Sequence, residues 1–395
     1  MSMSQPFIYL VAPSGNPNFG DEFIASSWLR YLAKTQPHTE VYLDCPHPGL
    51  AQVLFAGLHP KLRVTNTLWR AVADSASLAP RALKDRVTDL VKNLGSPQYD
   101  LGLLQLRKAS SLHLLGGGHI NGMWPQHYGL IAAMQAVREV SGARLFATGL
   151  GLMPFDVNGE VDADSLFNGF EYASARDAES ASTFGLNSGI DDAFLGVGAE
   201  LGRNTLAANS LCICIQNDTS DDGYLENAVA IARERIILAA EKGRSVHYFE
   251  AIPGSDRVAF EQLSDLIPEV NFVPFSEIWL NGLPVAASQE WLTTRFHFHL
   301  LAAAAGATGT VIEAKTGYYD VKHESVKSLG SGWKYAAAGD SPAPQTANTL
   351  QQNLPTLMAR KMAEAAKLYP GPARAQGEDS LGKSLLRSVK RRLVA

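Results

Sequence analysis

Several short clusters in this chain combine residue types that handle anions and protons. Arg295-Phe296-His297-Phe298-His299 stands at the head of an apolar run, Leu300-Leu301-Ala302-Ala303-Ala304-Ala305. Arg295 and His297 need a polar environment beside a buried element. A helix N-terminus disfavours added positive charge, whereas a bound phosphate favours it. His297 is therefore placed to act as a general acid when an anionic substrate is present. His299 reads as a packed histidine. No carboxylate or further histidine lies at helix-ligand spacing beside the pair, so no metal site is expected.

Arg176-Asp177 follows a stretch that reads as a strand, 172–175. An arginine at the carboxyl end of a strand grips a carboxylate or phosphate through two parallel hydrogen bonds; a surface Arg–Asp pair is the other reading. The segment Gly15-Asn16-Pro17-Asn18-Phe19-Gly20-Asp21-Glu22 joins a first strand to a first helix. Glycines let backbone approach a ligand, and a helix N-terminus offers N–H groups to an anion. Asn18, Gly20 and Asp21 are thus candidate contacts, or the segment is a plain turn with Asp21 as the helix cap. Gly116-Gly117-Gly118 ends another strand. Three successive glycines cost chain entropy, which a ligand passing over the backbone or a close crossing of two chain segments would explain equally. His119 and Asn121 either line the same pocket or cap the next helix. Lys322 in Gly317-Tyr318-Tyr319-Asp320-Val321-Lys322 would neutralise a phosphate as a compact charge; Lys315 competes for that role, and an ordinary surface lysine is the alternative.

Strands alternating with helices must position these groups. The pattern predicts strands at 7–12, 41–43, 111–115, 143–148 and 172–175, with a helix after Asp21 and another over 124–141. Residues 51–106 read only as several helical segments. The pattern then restarts, with strands at 211–215, 246–249, 270–273 and 310–313 and helices over 224–242, 256–266 and 298–305. Alternation of this kind argues for parallel sheets covered by helices on both faces. Two α/β domains are expected, 1–200 and 201–340, followed by a C-terminal helix and basic tail over 341–395. Two such domains imply a cleft, and ligands of open α/β sheets bind outside the carboxyl ends of strands. Most of the unusual residues above fall at those ends.

The 395-residue length suits two cores, and 46% hydrophobic with 18% charged residues is a globular composition. A formal net charge of -5 argues against a nucleic-acid partner. Cys45, Cys212 and Cys214 form no CxxC pair and read as reduced core thiols. With no signal-like start and no run of about 20 apolar residues, a cytoplasmic protein is expected. Residues 381–393 alternate basic and apolar side chains. They read either as an amphipathic helix on an anionic membrane, placing the protein at its inner face, or as a solvated basic end.

The ordered set of segments resembles the polysaccharide pyruvyl transferases. It comprises Asn18-Phe19-Gly20-Asp21-Glu22, Gly116 to Gly118, Gly149-Leu150-Gly151, Arg176-Asp177, Asp192-Ala193-Phe194, Arg295-Phe296-His297 and Tyr319-Asp320-Val321-Lys322. The resemblance spans about residues 10–330. Where family members often carry an acidic residue soon after the GGG turn, this chain has His119-Ile120-Asn121-Gly122. The resemblance implies two Rossmann-like domains facing a cleft in a GT-B-like fold. It also implies phosphoenolpyruvate as donor, a sugar or lipid-linked oligosaccharide as acceptor, and no metal or organic cofactor. His297, Arg295 and Arg176 are then the expected catalytic residues. Asn18, Gly20, Asp21, Gly116, Gly117, Gly118, His119, Asn121, Gly149 and Lys322 are the expected substrate contacts. The same fold and glycine turns would also serve a glycosyltransferase using a nucleotide sugar, or a silent sugar-binding protein.

Overall fold

The computed structural model describes residues 6–155, 159–203, 209–314, 319–336 and 347–371. The first apolar runs build a seven-stranded sheet from β1 (Phe7–Val11), β2 (Val41–Asp44), β3 (Leu62–Thr65), β4 (Ala109–Leu114), β5 (Arg144–Leu150), β6 (Tyr172–Ala175) and β7 (Asn187–Ser188). Its order is β3-β2-β1-β4-β5-β6-β7 and every pairing is parallel. β1 is buried along its whole length, as helix cover on both faces requires. A six-stranded sheet follows: β8 (Ser210–Cys214), β9 (Ser245–Phe249), β10 (Phe272–Val273), β11 (Glu290–Thr293), β12 (Thr308–Val311) and β13 (Lys334–Tyr335). Its order is β10-β9-β8-β11-β12-β13, again parallel throughout. Strand order therefore reverses twice, between β1 and β4 and between β8 and β11. Such switch points are where open α/β sheets open a crevice for ligand.

Several elements differ from the sequence expectation. No strand was marked at β11, although it is the central strand between β8 and β12. It is four residues long, and Glu290 and Thr293 at its ends leave only Trp291-Leu292 as apolar signal. The helix expected over 256–266 is regular only over Arg257–Glu261. The helix expected from residue 298 is Phe296–Ala304, with Arg295 at its N-cap, which brings His297 into the first turn.

An apolar seam joins the two sheets. Phe19 and Phe23 of the helix Phe19–Thr35 stack at 5.8 Å, and Phe19 meets Phe298 edge-on at 5.3 Å. Each fully buried aromatic contributes about 1.5–3 kcal/mol, so the seam fixes one set of strand ends against the other. The three cysteines are buried free thiols. Among the described residues no helix is long and apolar enough to cross a membrane.

The helix Leu350–Leu368 returns to the first sheet. Its buried Lys361 pairs with Asp192 at 2.8 Å and with Glu364. Asp192 also accepts from Trp28 Nε1 at 2.8 Å, Thr148 Oγ1 at 2.7 Å and the Gly116 N–H at 3.0 Å. Burial pushes the Asp192 carboxyl up, but Lys361 outweighs it and holds the group below its usual range. The basic tail lies outside the described residues.

Candidate active site

A cavity of about 540 Å³ opens where the two switch points meet. Its polar lining arrives from the carboxyl ends of strands: Asn18, Gly20 and Asp21 after β1, Gly118 and His119 after β4, and Arg176 after β6. From the second sheet come Asp218 after β8, Arg295 and His297 after β11, and Lys322 on the helix Tyr319–Ser328 after β12.

His297 Nε2 lies 3.4 Å from Asp191 Oδ1, and the other Asp191 oxygen accepts from Arg176 Nη1 at 2.7 Å. Burial pushes the Asp191 carboxyl up, yet His297 and Arg176 outweigh it and hold it well below the usual range. An ionised Asp191 thus orients imidazole and guanidinium together. The guanidinium also lies 4.2 Å over the Phe296 ring. Asp177, beside Arg176, is no surface partner to it; it caps the helix Ala178–Thr183 by accepting the Ser180 N–H at 2.7 Å.

Gly20 makes room for His297. A Cβ at Gly20 would overlap the imidazole Nδ1. At an ordinary helix position alanine is about 0.5–1 kcal/mol better than glycine. Here Gly20→Ala is expected to gain no stability and to lose about 10²-fold in turnover, because a displacement of about 1 Å suffices for that. Wild-type turnover in a stabilised variant would show that the imidazole position does not matter.

Asn18, not Asp21, caps the first helix. Its Oδ1 accepts the Gly20 N–H at 3.2 Å and its Nδ2 donates to Asp21 Oδ2 at 2.9 Å. Asp21 is left to line the cavity, where burial raises its pKa against the pull of His297, Lys322 and Arg176. Lys322 is half-buried. Burial and the Arg176 guanidinium push its amine well below an ordinary lysine, against Asp21 and Asp218. A Cβ on Gly118 would lie 2.9 Å from Lys322 Nζ and 3.2 Å from Arg176 Nη2, so two basic groups converge on this one glycine. Arg295 also lines the cavity, but its Nε donates to Asp256 at 3.1 Å and its Nη1 to Asp218 at 3.3 Å. Its guanidinium is therefore already shared between two carboxylates at the wall. The competing Lys315 lies outside the described residues.

Four expected contacts do not line the cavity: Gly116, Gly117, Gly149 and Asn121. The chain-crossing explanation applies to two of them. The Gly116 N–H is bound by Asp192, and a Cβ at Gly149, whose φ is +58°, would stand 2.7 Å from Asp192 Oδ1. Gly117 has φ +131°, so a side chain there would be strained. Asn121 spends its side chain on the turn, donating to Gly118 O at 2.8 Å and accepting the Met123 N–H at 2.9 Å.

Glu22, next to Asp21, is buried and accepts the Gly15 N–H at 2.8 Å. Burial raises its pKa to about 8, against about 4.3 in an unfolded chain. Between those values the folded form holds a proton that the unfolded form has released, so stability falls as pH rises from about 4.3 to about 8. Glu22→Gln mimics the neutral acid. It should match wild type near pH 5 and exceed it near pH 9 by on the order of several kcal/mol. Urea midpoints that keep a constant difference across this range would contradict the assignment.

A family model for polysaccharide pyruvyl transferase matches residues 18–313. The chain belongs to the polysaccharide pyruvyl transferase family. The matched span holds every cavity residue named above except Lys322. Comparison with curated proteins finds no match. Among solved structures, MnaA from S. aureus in complex with UDP superposes with a TM-score of 0.50 at 12% identity, covering 93% of this chain and 90% of that one. A UDP-N-acetylglucosamine 2-epimerase gives 0.50 at 11% identity, covering 94% and 91% respectively. These likenesses show the fold, two parallel sheets in a GT-B-like arrangement.

This family member has residues at or beside the cavity that no sequence motif marked. Asp191, buried behind Arg176 and His297, is one, since beside Asp192 it carries no distinguishing pattern. Trp69 is another, on the helix Leu68–Ala73 within the stretch 51–106. That helix is anchored by the buried Asp44 at the end of β2, which accepts the Leu68 N–H at 2.6 Å. Trp124, His127 and Asp218 also line the wall.

Proposed function

We propose that this family member transfers pyruvate from phosphoenolpyruvate to two hydroxyls of one sugar in an exopolysaccharide, capsule or cell-wall glycan precursor, forming a ketal. The observation that carries the reading is the convergence of Arg176, Lys322 and His297 on one corner of the cavity, beside Gly20, Asp21 and Gly118. Phosphoenolpyruvate brings a phosphate and a carboxylate, and charges interact more strongly in such an enclosed site than in water. Arg176 and Lys322 bind these groups, with Arg295 held at the wall beside them by Asp218 and Asp256. His297, held by Asp191, gives a proton to the methylene carbon. The first sugar hydroxyl attacks C2 and returns its proton to His297. The C2–O bond to phosphate breaks, the second hydroxyl attacks C2, and its proton leaves with the phosphate. The scheme uses no metal or organic cofactor.

Thermal unfolding with phosphoenolpyruvate, beside UDP- and GDP-sugars, tests the donor. A ligand at 100 times its Kd stabilises the native state by about 2.7 kcal/mol. Phosphoenolpyruvate should raise the midpoint of the wild type and leave Lys322→Met unmoved. A rise only with a nucleotide sugar would replace this reading by glycosyl transfer.

A lipid-linked acceptor would bring the enzyme to the inner face of a membrane, with residues 381–393 as a basic contact. Vesicles of phosphatidylglycerol should then sediment the full chain and not a chain ending at residue 371. Equal sedimentation of the two would remove the tail from the account.

A further inference from the structure

Beyond its charged corner, the cavity is walled by Trp69, Trp124, His119 and His127. The Trp69 and His127 rings meet edge-on at 4.9 Å, Trp124 stacks with His127 at 6.3 Å, and Trp69 tilts against His119 at 6.0 Å. This wall carries no fixed charge: burial pushes both His119 and His127 below the ordinary histidine value. It also carries polar atoms without protein partners. Trp69 Nε1 and both ring nitrogens of His119 are buried and hydrogen-bond to no described residue. Buried polar groups are normally paired, and each exception needs a reason. A ligand that returns the bonds supplies one.

The chemistry of the wall narrows the ligand. An anion would find no cation among these four side chains, and a purely apolar molecule would leave the three nitrogens unpaired. A sugar ring satisfies both demands, because its C–H faces pack on aromatic rings while its hydroxyls donate and accept. We propose that Trp69, Trp124, His119 and His127 form a seat for a neutral hexopyranose, the acceptor of the transfer. Its role as acceptor rests on the pyruvyl-transfer reading; its nature as a sugar site does not. His119 links the seat to the charged corner. Its Nδ1 and Asp21 Oδ1 lie 3.2 and 3.3 Å from the point where a Cβ on Gly117 would stand. A hydroxyl held by His119 is thereby brought to the edge of the donor corner.

The test is saturation-transfer NMR of the full chain with methyl β-D-glucopyranoside, methyl β-D-galactopyranoside and methyl α-D-mannopyranoside, with phosphoenolpyruvate present. Trp69→Phe keeps an aromatic ring and deletes the indole N–H; His119→Leu removes both ring nitrogens. Each variant should bind the preferred hexoside about tenfold more weakly, as the loss of a hydrogen bond predicts, with an unchanged thermal shift from phosphoenolpyruvate. Wild-type affinity in both variants, or no hexoside bound by the wild type, would overturn the seat. Weakened hexoside binding in the variants, together with no response of the wild type to phosphoenolpyruvate, would keep the seat and sink the pyruvyl-transfer reading instead.

Discussion

Replacing His297 with alanine is expected to cut turnover by about 10²–10⁴-fold, the usual contribution of a positioned acid or base, with little change in melting temperature. Two features separate chemistry from folding here. The imidazole keeps 12% of its side-chain surface exposed, and it approaches Asp191 at 3.4 Å. Removing it leaves no orphaned charge, because Asp191 keeps Arg176 at 2.7 Å. Phosphoenolpyruvate should still bind through Arg176 and Lys322, so the thermal shift should survive while kcat collapses. A variant with near-normal kcat would remove His297 from the proton transfer, and one that no longer binds the donor would make it a binding residue.

Lys361→Met is expected to be the most destabilising single change, and to act far from the chemistry. Lys361 and Asp192 have side chains with no exposed surface, and Asp192 bonds to the first helix, to β5 and to the turn after β4. Breaking a buried pair strands a charge and costs about 3–5 kcal/mol. The sign with pH follows from Asp192. Its folded pKa is depressed, so its contribution is present above the unfolded value of about 3.9 and is lost as pH falls through the folded one. In Lys361→Met the stranded carboxylate takes up a proton more readily. The gap between variant and wild type should therefore narrow on acidification from neutrality. Urea unfolding at two pH values checks both the size and this trend; a gap that widens towards acid would mean the pair is not what holds the helix.

Much of the architecture was legible because buried parallel strands read as continuous apolar runs. The strands at 7–12 and 211–215 and the helix over 224–242 stand within a residue or two of where periodicity puts them. β11 was not legible, since its centrality comes from its neighbours and not from its own two apolar residues. The cavity's charged corner was legible in part because Arg176 and His297 sit just after strands, where a sequence motif and a physical position coincide. Asp191 and Trp69 escaped for opposite reasons. Asp191 acts through a geometry that only the two folded sheets together create, between Arg176 and a histidine 106 residues away. Trp69 lies on a short helix whose half-exposed preceding strand, β3, gives no clean alternation. The glycine runs misled in part: Gly116 and Gly149 are small because Asp192 packs there, not because a ligand does.

The central claim is that phosphoenolpyruvate is consumed as a pyruvyl donor. The most direct measurement is phosphorus and proton NMR of the protein with phosphoenolpyruvate and the three methyl hexopyranosides in deuterium oxide. The account predicts that phosphate appears in step with a new ketal methyl signal carrying one deuterium from the His297 proton transfer, and that neither appears with His297→Ala. Phosphoenolpyruvate left intact while a UDP- or GDP-sugar is turned over would contradict it.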